Sequence, residues 1–322
     1  MGRIGRLLFK LLMDNEQCEL VAVNDIMEAE NILYLLKYDS ISGPYQGSLD
    51  LQLNKIISEK RSIAVLNSAS PAALPWKQLA VDLVVECTGG FTSRKLAEQH
   101  LEAGAKKVLL STTGSSDLPL LIWGVNHQSF PESENIISPG GCMTNCSSVI
   151  LSSLMALTKV ESVQLNVLHS YTSRQSLVDG PHRNFRRGRA AATSIIPVEI
   201  DLAKTLERLF PELKERVATT STRVPIDCGA LADFSIVLSK KLTLQEIHSW
   251  FRNMAEGAFH GILQYNEELI VSNDIIGNPH SAILDASLSS LVGNHLKLQA
   301  WFDNEFGYTN RLMDIITSLA GK

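Results

Sequence analysis

A chain of 322 residues, 45% hydrophobic and 20% charged, is ordinary globular material, long enough for two domains and a large core. A net charge of -5 argues against general attraction to nucleic acid, no basic-then-apolar signal segment opens the chain, and five cysteines without disulfide-like spacing suit a reducing cytoplasm. One uncharged run, Gly140 to Thr158, is long enough for a bilayer, but it carries Thr144, Asn145, Ser147, Ser148, Ser152 and Ser153 and reads as a buried soluble helix, so no membrane is expected.

The chain opens on Gly2-Arg3-Ile4-Gly5, with Leu7, Leu8, Leu11 and Leu12 following at helical spacing. Gly2-x-x-Gly5 looks like the back half of a Gly-x-Gly-x-x-Gly turn, in which a diphosphate rests on a helix N-terminus; glycines that merely permit a turn are the competing reading. Leu20 to Val23 predicts a buried strand, and Asp25 stands at its end, 20 residues past Gly5. That is the spacing of a carboxylate that bonds the hydroxyls of an adenine ribose, and its charge repels a 2′-phosphate, favouring NAD over NADP. A helix-capping Asp is the plainer alternative. Ile32 to Tyr38 predicts a helix, Asp82 to Cys87 a buried parallel strand ended by Thr88-Gly89-Gly90, Arg94 to Ala103 a helix, and Lys107 to Ser111 a strand. This alternation predicts a doubly wound parallel sheet, whose strand-end loops line a cofactor crevice.

Next comes Ser138-Pro-Gly-Gly-Cys142-Met-Thr-Asn-Cys146, with Val149, Ile150, Leu154 and Leu157 at helical spacing. A glycine turn opening a buried helix puts Cys142 at the helix N-terminus, where N–H groups and the dipole favour the thiolate. The chemistry implied is a nucleophile for a carbonyl; inert core and half of a metal site compete, though no second Cys/His pair at finger spacing supports a metal. His169 lies 27 residues on, sharing the apolar face of a strand with Val163, Leu165 and Val167. Opposite Cys142 it becomes a candidate base; alone it would read as a core histidine. Gly180 to Arg189 holds Arg183, Arg186, Arg187 and Arg189. Pro197 to Leu209 predicts a helix, and Ser221 to Pro225 puts Arg223 in an apolar strand, where it needs an anion. Leu231 to Leu238, Ile270 to Ser272, Ser281 to Leu288 and Leu296 to Phe302 predict a second, largely antiparallel sheet, with Leu244 to Gly257 a covering helix and Arg311 to Ala320 a closing one.

Ser138-x-x-x-Cys142-x-Thr-Asn-Cys146, the His 27 residues later and Trp301-Phe-Asp-Asn-Glu-Phe-Gly-Tyr308 together resemble the glyceraldehyde-3-phosphate dehydrogenase family, with the erythrose-4-phosphate dehydrogenases as close relatives. Glu86-Cys-Thr-Gly89, Trp123-Gly-Val-Asn126, Arg223-Val-Pro225 and Gly277-Asn-Pro-His-Ser281 extend the likeness over essentially the whole chain. The resemblance implies a Rossmann-type NAD-binding domain at 1–141, completed by a C-terminal helix at 303–322, and an α+β catalytic domain at 142–302. It implies a cytoplasmic, tetrameric, glycolytic oxidoreductase that oxidises a phosphorylated aldehyde. Glyceraldehyde 3-phosphate is the leading substrate; erythrose 4-phosphate, or a catalytically weak binding protein, is the alternative. Cys142 becomes the nucleophile of a thioester and His169 its base. Gly2, Arg3, Ile4, Asp25, Thr88, Gly89, Ser111, Asn304 and Tyr308 take the cofactor. Gly141, Met143, Thr172, Arg174 and Arg223 take the substrate, with no metal.

The chain departs from this family in three places. An apolar strand and a first glycine precede Gly2 in the family, so a start several residues upstream and weak NAD binding as written are expected. At the inorganic-phosphate site, hydroxyl residues are replaced by Gly141, Met143 and Ile200-Asp201, with Glu199 beside them. Arg174 stands where an acidic residue is often found.

Overall fold

The computed structural model describes residues 1–320, so the last two residues of the expected 303–322 segment lie outside the described residues. The chain divides into two units, Met1–Gly141 with Thr309–Lys322, and Cys142–Tyr308; the return falls at Thr309, against 303 in the sequence reading.

In the first unit, α1 (Arg3–Met13) starts directly after Gly2, and its buried Leu7, Leu8, Phe9, Leu12 and Met13 form one face. β1 (Ala22–Asn24), α2 (Ala29–Lys37), β2 (Asp50–Gln52), β3 (Lys55–Ile57) and β4 (Ser62–Leu66) follow. The order of this sheet is β1-β4-β3-β2, with β1 and β4 parallel and the rest antiparallel. β5 (Leu83–Glu86), α3 (Arg94–Glu102), β6 (Lys107–Leu110) and β7 (Ile136–Ile137) complete the unit; the three strands form a separate parallel sheet, β5-β6-β7. The expected single doubly wound sheet is therefore present as two blocks. Among the described residues no strand joins β1 to β5, although Val21 and Ala22 pack into the apolar cluster that holds Val84, Leu74 and Trp76.

The second unit begins with α4 (Cys142–Leu157), then β8 (Val160–Ser170), β9 (Ile196–Val198), α5 (Leu202–Leu209), β10 (Val217–Val224), β11 (Ala230–Leu238), α6 (Leu244–Glu256), β12 (Leu263–Asn266), β13 (Ala282–Val292) and β14 (His295–Phe302). The helix α7 (Phe306–Ala320) carries the chain out of this unit. Its seven strands run β12-β13-β14-β11-β8-β10-β9, antiparallel except for the β12–β13 and β8–β10 pairs. In β8 the buried positions Val163, Leu165, Val167 and His169 alternate as the period-2 pattern requires. Two expectations fail. The predicted helix from Pro197 begins only at Leu202, because Ile196–Val198 pairs with β10 first. Ile270 to Ser272 is loop and turn; the neighbour of β13 is instead Leu263–Asn266. No helix among the described residues is long and apolar enough to cross a membrane.

Candidate active site

Gly140 takes φ +69°, and α4 starts at Cys142 two residues later. The left-handed turn is one that glycine adopts without a Cβ clash. Across from it, β8 delivers His169, 2% exposed, and places Nε2 3.6 Å from Cys142 Sγ. His169 Nδ1 lies 2.7 Å from the Ser170 carbonyl oxygen. A carbonyl only accepts, so Nδ1 carries the ring proton and Nε2 offers its lone pair to the thiol. Phe302 packs edge-to-face on the ring at 6.2 Å.

The thiolate expectation is corrected by the structure. Burial pushes the Cys142 thiol up to about 11, against Arg223 and the Met143 and Cys142 N–H groups, which lower it; Glu305 adds to the rise. Helix-end N–H groups help the anion, but desolvation outweighs them. Cys146, one turn further in, is fully buried, and burial raises its thiol well above the ordinary range.

The β8–β10 register sets Arg223 opposite His169. Its guanidinium is 7% exposed and donates through Nη1 to the Ser170 carbonyl at 3.2 Å. Burial brings it down to about 10; the Cys142 sulfur opposes this, and Arg187 and Arg174 add to it. The loop after β8 brings Thr172 and Gln175 together, while Arg174 is exposed on the same loop. Asn304 follows β14, and its Oδ1 accepts from Gly229 N–H at 2.8 Å and Ser170 Oγ at 3.2 Å. Those bonds fix the amide and turn its Nδ2 donor the other way. Tyr308 is buried in α7.

At the three positions where the family carries hydroxyls, this chain has Gly141, Met143 and Ile200. A Cβ on Gly141 would meet only Thr113 Oγ1, at 3.8 Å. Met143 occupies the first turn of α4, and Ile200 packs against Ala191, Ile196 and Val198. Asp201 and Glu199 are exposed, and Asp201 pairs with Lys204 at 3.3 Å. Solvent screens them.

In the first unit, Arg3 and Ile4 form the first turn of α1 behind Gly2, and a Cβ on Gly5 would lie 3.7 Å from Cys87 Cβ. Asp25 ends β1; burial acts to raise its carboxyl, but its ion pair with the Met1 ammonium and the Met27 N–H bring it below the usual range. Thr88 and Gly89 (φ +68°) end β5, and Ser111 ends β6 with its N–H on the Glu86 carbonyl at 3.0 Å. Glycines, a carboxylate and hydroxyls at the carboxyl ends of parallel strands fit a dinucleotide. Sequence reasoning missed the network beneath them. Trp76 Nε1 donates to His100 Nδ1 at 3.0 Å, His100 Nε2 meets Glu86 Oε2 at 3.2 Å, and Glu86 Oε1 accepts the Thr88 N–H at 2.6 Å. All three side chains are buried. No spacing rule flags them, since they come from three separate elements. Among the described residues no group of three or more His, Cys, Asp or Glu could hold a metal.

Residues 141–304 match the family model for the C-terminal domain of glyceraldehyde 3-phosphate dehydrogenase, and residues 1–94 match that of its NAD binding domain. Whole-length relatives include glyceraldehyde-3-phosphate dehydrogenases of Mycobacterium leprae, 39% identical over the full chain and 96% of the relative, and of Mycobacterium avium, 40% identical at the same coverage. That of Kitasatospora aureofaciens is 38% identical, covering the full chain and 97% of the relative. Cys142 and His169 stand in the domain that one model spans, Gly2 and Asp25 in the domain of the other, and the chain belongs to the glyceraldehyde-3-phosphate dehydrogenase family.

Proposed function

We propose that the protein is an NAD-dependent dehydrogenase that oxidises glyceraldehyde 3-phosphate through a thioester on Cys142. The observation that carries this is the Cys142–His169 pair, 3.6 Å apart with the imidazole lone pair toward the sulfur. Because burial keeps the thiol protonated, the reaction starts with proton transfer rather than from a resting thiolate. His169 Nε2 takes the thiol proton as sulfur adds to the aldehyde carbon, giving a thiohemiacetal. Donors at the start of α4, with His169, stabilise the oxygen as charge develops on it. NAD, when bound, supplies the hydride acceptor; Gly2, Arg3, Ile4, Asp25, Thr88, Gly89, Ser111, Asn304 and Tyr308 would hold it. The Asn304 amide, fixed through Oδ1, offers Nδ2 to the nicotinamide carboxamide. The charge of Asp25 favours NAD over NADP. Arg223, Thr172 and Arg174 serve the phosphate of the substrate.

The fate of the thioester follows from what surrounds Cys142. Gly141, Met143 and Ile200 offer inorganic phosphate no hydroxyl. Each hydrogen bond lost to a charged oxygen costs about 1.5–3 kcal/mol, so two losses weaken phosphate on the order of a hundredfold or more. Water or another acceptor is therefore the main route, with inorganic phosphate a weak one. Exposed Leu177, Val178, Phe185 and Ile195, on one loop, suit burial in a homotetramer. A cytoplasmic setting agrees with the free cysteines.

Quenching a reaction with glyceraldehyde 3-phosphate and NAD should give an acyl adduct on Cys142 by intact mass. NADH formation should continue without phosphate. Turnover surviving Cys142→Ala would overturn the nucleophile; steep, saturable phosphate dependence with acyl phosphate as product would overturn the acceptor.

A further inference from the structure

The buried network beneath the strand-end turns of the first unit has a fixed polarity. An indole N–H only donates, so the 3.0 Å contact from Trp76 Nε1 makes His100 Nδ1 an acceptor and leaves the ring proton on Nε2. That proton points to Glu86 Oε2 at 3.2 Å. From the other side, Glu86 Oε1 takes the Thr88 N–H at 2.6 Å and the Thr88 hydroxyl proton. The Thr88 oxygen in turn accepts the Gly90 N–H at 3.1 Å. Every proton in the chain is thus aimed at one carboxylate. Phe91 packs edge-on against the imidazole at 6.3 Å, and the Trp76, His100 and Glu86 side chains are all buried. Burial acts to raise the Glu86 carboxyl, but the bonds from His100 and Thr88 bring it below the usual range, so it stays ionised.

What this buried charge holds is a turn. Gly89 takes φ +68° between Thr88 and Gly90, a left-handed conformation that only its neighbours can keep fixed in so permissive a residue. One carboxylate oxygen secures Thr88 through two bonds, and the Thr88 hydroxyl passes the constraint on to Gly90. The backbone carbonyl of Glu86 also accepts the Ser111 N–H at 3.0 Å, so a single residue ties the end of β5 to the end of β6. A loop held in one shape before its ligand arrives spares the ligand the cost of ordering it.

We propose that Glu86, His100 and Trp76 are positioning residues for NAD, a buried chain that sets the Thr88–Gly90 turn in its binding shape. The inference rests on reading the turn at the end of β5 as part of the NAD site.

The test is steady-state kinetics of the full-length protein at saturating glyceraldehyde 3-phosphate with NAD varied, alongside the melting temperature. In Glu86→Gln an amide replaces the carboxylate. With its oxygen toward Thr88, its NH2 meets the His100 Nε2–H, donor against donor; turned round, it meets the Thr88 N–H instead. KM for NAD should rise about tenfold, as loss of one bond to a charged group does, while kcat stays within about twofold. Trp76→Phe removes the indole N–H and should raise that KM about two- to threefold. In the double variant, His100 can carry its proton on Nδ1 and accept the amide N–H at Nε2, so KM should fall back below that of Glu86→Gln alone. Damage to packing adds rather than cancels. The proposal is overturned if the double variant is worse than Glu86→Gln, or if Glu86→Gln lowers kcat and leaves KM for NAD unchanged. Trp76→Phe keeps the bonds between Glu86 and Thr88 and is the milder variant; a lower melting temperature with KM for NAD unchanged would also overturn it. Gly89→Ala separates the two levels, because it strains the turn directly. If it leaves KM for NAD unchanged, the reading of the turn as part of the NAD site fails. If it raises that KM and Glu86→Gln does not, only the role of the buried chain fails.

Discussion

Cys142 and Cys146 are a single helical turn apart, and their environments separate them. Cys142 stands beside the His169 imidazole at the helix start, whereas Cys146 is fully buried inside the helix. Cys142→Ala should abolish NADH formation, and Cys146→Ala should keep most of it; equal losses would count against the assignment. His169→Asn should slow turnover by roughly two to four orders of magnitude, as loss of a general base does. Because burial pushes the Cys142 thiol up to about 11, its thiolate fraction grows tenfold per pH unit through the neutral and mildly alkaline range. Alkylation of the NAD-free protein by iodoacetamide should climb accordingly from pH 7 to 10, and a plateau at neutral pH would show a resting ion pair instead. The approach of His169 to Cys142 was legible from the helix start, the strand and their spacing. The protonation state was not, because it is set by side chains that only the tertiary fold packs around the sulfur.

Among the elements, α1 is tied to the following turn by Arg6 Nε donating to Asp39 at 3.0 Å. Burial works against the Asp39 carboxylate, but the Ser42 and Ile41 N–H groups and Arg6 overcome it and hold it at about 2. A depressed carboxyl contributes stability above its unfolded value, near 3.9, and loses it as pH falls toward 2. Asp39→Asn should therefore cost about 1–2 kcal/mol at pH 7 and almost nothing near pH 2, read by urea denaturation at both. The Arg-rich loop is pinched where Gly180 N–H meets the Gly188 carbonyl at 2.8 Å. A Cβ on Gly188 would stand 2.3 Å from the Gly180 oxygen. Gly188→Ala must displace the segment bearing Arg187, and KM for glyceraldehyde 3-phosphate should rise several-fold with the helices intact by circular dichroism. Strands with clean alternation, such as β8 and β11, could be read directly from Val163, Leu165 and Val167 or from Ala232, Phe234 and Ile236. The stretch from Pro197 could not, because a three-residue strand pairing with β10 takes the residues that look like a helix start. Ile270 to Ser272 misled in the opposite sense: short and apolar, it forms no ladder, and the pairing goes to Leu263–Asn266.

For the molecule as a whole, the two units differ in how their sheets are closed. Among the described residues, the second has one continuous seven-stranded sheet; the first has blocks of four and three strands whose edges, β1 and β5, are not joined. The β5 carbonyls of Asp82 and Glu86 accept from β6, so the alternate residues Leu83 and Val85 turn their backbone groups to the open side. Urea unfolding followed by hydrogen exchange should show the first unit opening before the second, with Leu83 and Val85 exchanging faster than Val84. A single cooperative transition with uniform protection would contradict this. The doubly wound character was legible from the alternation of apolar strands and helices. Which strands lie side by side was not legible, because periodicity within a strand carries no information on which strand lies beside it.

One oxygen in the second unit has two claimants. The Ser170 carbonyl receives the proton side of the His169 ring and, from another direction, the Arg223 guanidinium. A cation leaning on that oxygen drains the electron density that makes it a good anchor for an imidazole. When an incoming anion draws the guanidinium toward itself, the carbonyl is released to the ring, and Nε2 becomes the stronger proton acceptor. On the proposed reading of His169 as the base, the arrival of the substrate phosphate would then strengthen it as a proton acceptor. A substrate cut in two should reveal this, with phosphite dianion in solution accelerating the oxidation of plain glyceraldehyde, and with that acceleration lost in Arg223→Gln.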